Sequence, residues 1–235
     1  MFVPPVQPPI TTHIYQDVVP VLHSDFSVKQ LGFVYSFVRR LLDFVLGLAG
    51  LIFSAPIIMF AVIAIRVESP GNPFFIQERV GLGGRLFKIF KLRGMYIDSK
   101  QRFPELYDYS KHHDLHFFYH RVNDPRVTKV GAFMRRTSID ELLNFANVVR
   151  GDMTLVGPRP EIPEVFALYG PSAVKYVSVK PGITCLSKIT GRDRLTKEET
   201  VNVDLDYLRC MNLWLDLKIL WVTFIQAILR RDVTL

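Results

Sequence analysis

Asp140 and Glu141 stand side by side, and Arg159 follows about twenty residues later within Gly157-Pro158-Arg159-Pro160. Carboxylates can act as nucleophiles toward phosphorus or offer hard oxygen ligands to a divalent ion. An arginine reads phosphate in two-pronged geometry. The prolines on either side lock the backbone there, so the guanidinium is held at a fixed place. Both features also have plain structural readings. Two acids suit the first turn of a helix, where unsatisfied N–H groups favour negative charge. Gly-Pro-Arg-Pro suits a tight turn.

The elements that must position these residues are legible around them. The spacing predicts a helix with Ser138 as N-cap, Asp140 and Glu141 in its first turn, and an apolar face of Leu142, Leu143, Phe145, Ala146, Val148 and Val149. Gly151 ends it as a C-cap glycine. Upstream, 74–77 and 86–92 read as strands of a hairpin around the Gly81–Gly84 turn. Downstream, 161–176 reads as helical. Lys180-Pro181-Gly182-Ile183-Thr184 reads as a loop with Gly182 at a positive-φ turn. Glu198 and Glu199 read as the start of another helix. Cys185 and Cys210 stand apart, with no metal-ligand or disulfide spacing, which suits a reducing compartment. His112, His116 and His120 fall on one face if their stretch is helical. Apart from Asp114 they lack a cysteine or carboxylate partner in a zinc spacing, so a surface or membrane-proximal helix is expected.

The chain of 235 residues carries a net charge of +7. That balance suits nucleic acid, an anionic membrane surface or a phosphorylated substrate, without choosing among them. Its mean hydropathy of +0.19 points toward a membrane. The uncharged run 44–65 is long enough to cross a bilayer as one straight helix. Pro56 in mid-run and basic residues on both flanks (Arg39, Arg40, Arg66, Arg79) fit equally well a segment that dips in and returns. Residues 1–37 read as a proline-rich tail without a signal peptide. The last run, with Trp214 and Trp221, reads as an interfacial amphipathic helix, a buried core helix being the alternative.

The words S-I-D-E-L-L-N, N-V-V-R-G-D-M-T-L-V-G-P-R-P-E, K-P-G-I-T and Q-E-R-V-G…F-K-I-F-K-L-R-G-M occur in one collinear order from about Val38 onward. Together they resemble the bacterial sugar transferase family, the monotopic phosphoglycosyl transferases, in their small form. The resemblance implies an α+β fold: a membrane-anchored, mainly helical domain with a small β-hairpin and a re-entrant membrane helix. It divides the chain into the tail 1–37, a re-entrant helix-break-helix at 38–66 with Ser54 and Pro56 at the break, and a cytoplasmic catalytic domain at 67–235. It places the protein monotopically on the cytoplasmic face of the bacterial inner membrane.

The implied reaction moves a sugar 1-phosphate from a UDP-sugar to undecaprenyl phosphate or another polyprenyl phosphate, releasing UMP. It would be the first membrane step of polysaccharide assembly, feeding further glycan-assembly enzymes and involving no nucleic acid. Asp140 matches the family's nucleophile and Glu141 its second acid. Either would ligate Mg2+. Lys91, Arg93, Arg135, Arg159 and Arg192 would face phosphate or nucleotide oxygens. The alternative is an inactive relative or a basic membrane-anchored adaptor. Three positions depart from the family's usual pattern: Ala55 stands where serine precedes Pro56, and Cys185 and Lys188 stand where glycine and glutamine are common.

Overall fold

The computed structural model describes residues 32–107, 114–117, 124–191 and 194–229. The tail through residue 31, Arg192, and His112, His113 and His120 lie outside the described residues.

Helix α1 (Phe33–Glu68) spans 36 residues and begins within the stretch read as tail. The expected break is not a gap, because the helix continues through Pro56. Proline removes the N–H that would reach the Ile52 carbonyl. The Ser54 hydroxyl donates instead to the Leu51 carbonyl at 3.2 Å, so it does not recapture the freed group. Both arms and both ends of α1 rest on the same body. Near its start, Arg40 donates to the carbonyls of Val148 and Val149, and Asp43 accepts from Thr154 and the Leu155 amide. Gly50 packs so tightly that an added Cβ would lie 2.8 Å from the Phe145 ring. Beyond Pro56, Ile58, Ala61, Val62 and Ile65 cover Leu92 and Met134. The Glu68 carboxylate finally accepts from the amides of Lys129 and Val130. The opposite side presents Phe37, Phe44, Phe53, Phe60 and Val67 outward.

The hairpin forms as read, with a longer first strand. β1 (Phe74–Val80) pairs antiparallel with β2 (Leu86–Leu92). The single central helix read from Ser138 to Gly151 is two pieces. α2 (Lys129–Thr137) ends at Ser138, which sits at φ 56° and makes no side-chain cap. A left-handed residue cannot sit inside an α-helix, so the chain restarts as a 3-10 turn (Ile139–Asn144) and then α3 (Phe145–Arg150). Asp140 and Glu141 do occupy the first turn, and Gly151 at φ 91° does cap the end.

β3 (Thr154–Val156) pairs in parallel with β4 (Gly182–Thr184), so the segment read as a loop is a strand. Between them, 163–176 forms short helical turns rather than one helix. Gly182 is not at positive φ. It is required because a Cβ there would lie 2.2 Å from the Gly157 amide nitrogen and 2.4 Å from the Thr184 carbonyl oxygen. Gly182→Ala is therefore expected to destabilise the protein by on the order of 3 kcal/mol, read as a lower thermal midpoint, because the clash is with backbone that cannot rotate away.

α4 (Leu186–Thr190) and α5 (Lys197–Cys210) follow. Thr196 and Glu199 form a capping box at the start of α5, as its acidic opening suggests. α6 (Leu213–Leu229) shows Trp214, Leu217, Trp221 and Phe224 to the outside and buries Leu215, Asp216 and Ile219. Asp216 accepts from the hydroxyls of Tyr35 on α1 and Tyr207 on α5, tying the first and last helices together. The main core lies under β2, β3, α5 and α6, with Val148, Leu186, Leu208 and Ile219 at its centre.

Candidate active site

Lys91 reaches Glu141 because two asparagines lock the central turn to strand β2. The Phe90 amide donates to Asn144, and Asn147 donates to the Lys88 carbonyl and to Asn144. Both asparagines are buried. The Lys91 ammonium then lies 3.1 Å from Glu141 Oε1.

Arg159 arrives from another direction. The Gly157 amide donates to the Thr184 carbonyl, and the Gly182 amide donates to the Pro158 carbonyl. The Arg159 amide donates to Asp204 at 2.9 Å, and its carbonyl accepts from Tyr176. With both backbone groups held, its guanidinium stands 3.9 Å from Glu141 Oε1. Asp204 also accepts from the Ser187 amide at the start of α4. One fully buried carboxylate thus fixes both the Arg159 segment and the helix that carries Lys188. Lys188 Nζ lies 2.5 Å from Glu141 Oε2.

The two acids are unequal. Burial opposes ionisation of Glu141, but Lys188, Lys91 and Arg159 outweigh it and hold this carboxyl well below the usual range. Burial raises Asp140. The neighbouring Glu141 charge adds to that against the pull of Lys91, Arg135 and Lys188. Among the described residues no group donates a hydrogen bond to the Asp140 carboxylate. A cleft lined by Arg79, Lys91, Glu141, Arg159, Ile183 and Cys185 opens beside Glu141. Three cations beside one carboxylate on its lining leave that cleft net positive, which suits a di-anionic phosphate ligand.

The sequence that builds this site matches the family model described as bacterial sugar transferase over residues 34–230. The chain belongs to the bacterial sugar transferase family. It is 37% identical over 199 residues to the galactosyl transferase CpsE of Streptococcus agalactiae, covering 84% of this chain and 44% of that protein. It is 35% identical over 199 residues to the undecaprenyl-phosphate galactose phosphotransferase of Salmonella typhimurium, covering 83% and 41%. It is 35% identical over 202 residues to a UDP-glucose:undecaprenyl-phosphate glucose-1-phosphate transferase of Caulobacter vibrioides, covering 83% and 70%. The chain thus spans less than half the length of the first two of these relatives.

Within this bacterial sugar transferase the expected site residues separate into groups. Asp140, Glu141, Lys91 and Arg159 come together, and the charge of Arg135 acts on Asp140. Arg93 does not join them. It is buried and donates to the carbonyls of Ser69 and Pro70, holding the turn that follows α1. Arg192 lies outside the described residues. Of the histidine row only His116 is described. It sits in an irregular segment and pairs with Glu198 at the surface. Sequence reasoning had no role for Asn144, Asn147, Asp204 or Lys188. Lys188 was visible only as a departure from pattern, and a buried aspartate such as Asp204 leaves no local signal on a helix of mixed polarity.

The magnesium ion that the family implies can be tested against the donor set. Among the described residues no group of three or more His, Cys, Asp or Glu side chains could hold a metal ion. Magnesium, however, commonly uses one or two carboxylates together with substrate phosphates and water. The open carboxylate of Asp140 fits that mode.

Proposed function

We propose that this protein transfers a sugar 1-phosphate from a UDP-sugar to undecaprenyl phosphate or another polyprenyl phosphate, through a phosphosugar carried covalently on Asp140. What carries the reading is the inequality of the dyad. Glu141 has its charge neutralised by three cations, while Asp140 has no hydrogen-bond donor on its carboxylate among the described residues. The names of the Salmonella and Caulobacter relatives, which pair galactose or UDP-glucose with undecaprenyl phosphate, agree with it.

In the first half-reaction an Asp140 oxygen attacks the phosphorus that bears the sugar. An acyl phosphate bond forms, the diphosphate bridge breaks, and its electron pair leaves with UMP. In the second, a lipid phosphate oxygen attacks the same phosphorus, the acyl phosphate bond breaks, and the Asp140 carboxylate returns. Lys91, Arg135 and Arg159 supply the positive charge that phosphate oxygens need, and Arg192 is assigned to the same task. Arg93 is assigned to the turn after α1. A carboxyl held as low as Glu141 is a poor proton acceptor at neutral pH. Its role is to hold Lys91 and Arg159 in place. Magnesium bound at Asp140 and the diphosphate would neutralise charge on the phosphate oxygens.

The membrane fixes the depth of this chemistry. A helix that crossed a bilayer would part its ends by the ~30 Å hydrocarbon thickness. Yet Arg40 and Glu68, near opposite ends of α1, both bind the one polar body that carries the site. This supports a monotopic anchor, assigned here to the cytoplasmic face where a UDP-sugar would be met, with the outward aromatic and aliphatic side chains of α1 and α6 in lipid. Cysteines placed at Gly32 and Asn72 should both react with an impermeant maleimide from the cytoplasmic side alone. Labelling of either from the other side would end the monotopic reading.

The function itself is tested by UMP release from a panel of UDP-sugars in detergent, with and without undecaprenyl phosphate. Lipid-dependent release with one donor is expected. Absence of release with every donor would reject transferase activity in favour of a membrane-anchored adaptor.

A further inference from the structure

Glu141 is the acid beside the proposed nucleophile, and both of its oxygens already carry an ammonium group. Lys91 lies 3.1 Å from Oε1 and Lys188 lies 2.5 Å from Oε2, with Arg159 at 3.9 Å. Lys188 is no mobile surface lysine. Its side chain is 6% exposed. Its helix α4 is pinned at the start by Asp204 through the Ser187 amide, and near the end by Gln226, which donates to the Ile189 carbonyl. The Lys188 ammonium also lies 3.5 Å from the Ile183 carbonyl oxygen, on strand β4. Four elements therefore agree on where this charge sits.

We propose that Lys188 is a built-in cation that occupies Glu141 Oε2, so that Asp140 is the dyad carboxylate left open to a divalent ion. This rests on the reading of Asp140 and Glu141 as the phosphosugar-transfer site. The argument is one of space and charge. A magnesium-sized ion must approach a carboxylate oxygen to about 2.0–2.1 Å. On Glu141 that would bring it against an ammonium group already at hydrogen-bond distance. A unit charge and a double charge in such contact, in a half-buried cleft, repel strongly. An ammonium ion also has no need of the water ligands that magnesium gives up reluctantly. Lys188 therefore neutralises Glu141 permanently and without a free ligand. Among the described residues it makes the two acids chemically distinct: Glu141 is a resident ion pair and Asp140 an open donor. Lys188 is in this sense a positioning residue. It sets where a metal sits and is not assigned a contact with the reacting phosphorus.

The test is direct binding of Mn2+ to the purified full chain in detergent without nucleotide sugar or lipid, followed by electron paramagnetic resonance. Wild type is expected to bind weakly. Lys188→Gln is expected to bind about tenfold or more tightly, because one repelling charge is gone and a second carboxylate is released. Lys188→Arg keeps the charge and should match wild type. Lys188→Met, close in shape and neutral, should repeat the Gln result if an amide there disturbs the fold. The gain must disappear when Glu141→Gln is added to Lys188→Gln, since the cycle isolates that pair. Equal or weaker affinity in both neutral variants overturns the proposal, and so does a gain that survives Glu141→Gln. Asp140→Asn separates this from the underlying reading. Loss of the weak wild-type binding in that variant supports Asp140 as the open donor, whatever Lys188 does.

Discussion

Asp140→Asn is expected to lower turnover by ~10^4-fold or more, the scale of removing a nucleophile in covalent catalysis. The same change should leave the thermal midpoint close to wild type. The reason is structural: among the described residues no hydrogen bond to the Asp140 carboxylate is there to lose, and an amide keeps the shape. Activity and stability are usually damaged together when a half-buried carboxylate is replaced, so their separation here is the informative outcome. Intact-mass measurement after incubation with donor and no lipid should show the phosphosugar on wild type and not on Asp140→Asn. Near-normal turnover in the variant would remove Asp140 from the covalent role. Glu141 behaves oppositely in this picture. Its replacement strips the counter-ion from three cations, so it should cost both stability and rate.

The second large effect belongs to a residue that performs no chemistry. Glu161 follows Pro160 directly and is only 2% exposed. Its carboxylate lies 3.1 Å from Arg79 and pairs with Lys197, and it also accepts from the Ile162 amide. Arg79 donates to the Pro160 carbonyl as well, so the cluster braces the Gly-Pro-Arg-Pro segment from its far end. Asp204 holds the Arg159 amide, and the Thr184 carbonyl holds Gly157 at the near end. Glu161→Gln removes the carboxylate that the buried Arg79 and Lys197 share. Breaking such a buried pair costs about 3–5 kcal/mol, which in a domain of this size lowers the melting point by roughly 6–20 °C.

The pH dependence follows with a definite sign. Burial alone would raise the Glu161 carboxyl, but Lys197 and Arg79 draw it below its ordinary value of 4.5. A depressed carboxyl contributes stability that is fully present above its unfolded-state pKa and is lost as pH falls through the lower folded-state value. Wild type should therefore lose stability faster than Glu161→Gln as pH is lowered below about 4.5. Parallel curves for the two proteins, or a shift in melting point under about 2 °C, would show that the cluster contributes nothing net.

Much of this molecule follows from local pattern. The hairpin was legible because apolar and basic residues lie on either side of a glycine turn, and β1 pairs with β2 in that register. The capping box of α5 and the left-handed glycine that ends α3 were legible because caps depend on residues within one turn. The acidic pair, Arg159 and the quoted words indicated the family for the same reason: they are short, dense and contiguous. The long apolar run stood out from its composition, and α1 is long and apolar enough to cross a membrane.

What local pattern did not contain were the meetings of distant segments. Ser138 resembles an N-cap in sequence, yet the fold uses it as a left-handed break, because α2 must stop before the dyad can turn toward β2. Gly182 looked like a turn glycine, and only the parallel pairing of β3 with β4 shows that it is needed for contact with Gly157. Arg93 shares a motif with Lys91, yet it faces the turn after α1 and not the dyad. Lys188 and Glu141 are 47 positions apart, and Asp204 stands 45 positions from Arg159. Ion pairs and buried hydrogen bonds over such separations depend on how elements pack, which side-chain periodicity does not encode. Local pattern alone was enough for the hairpin, the capping box of α5, the glycine that ends α3 and the family. The tertiary structure decided which charges face Glu141, and that α1 is hydrogen-bonded to the rest of the fold near both its ends.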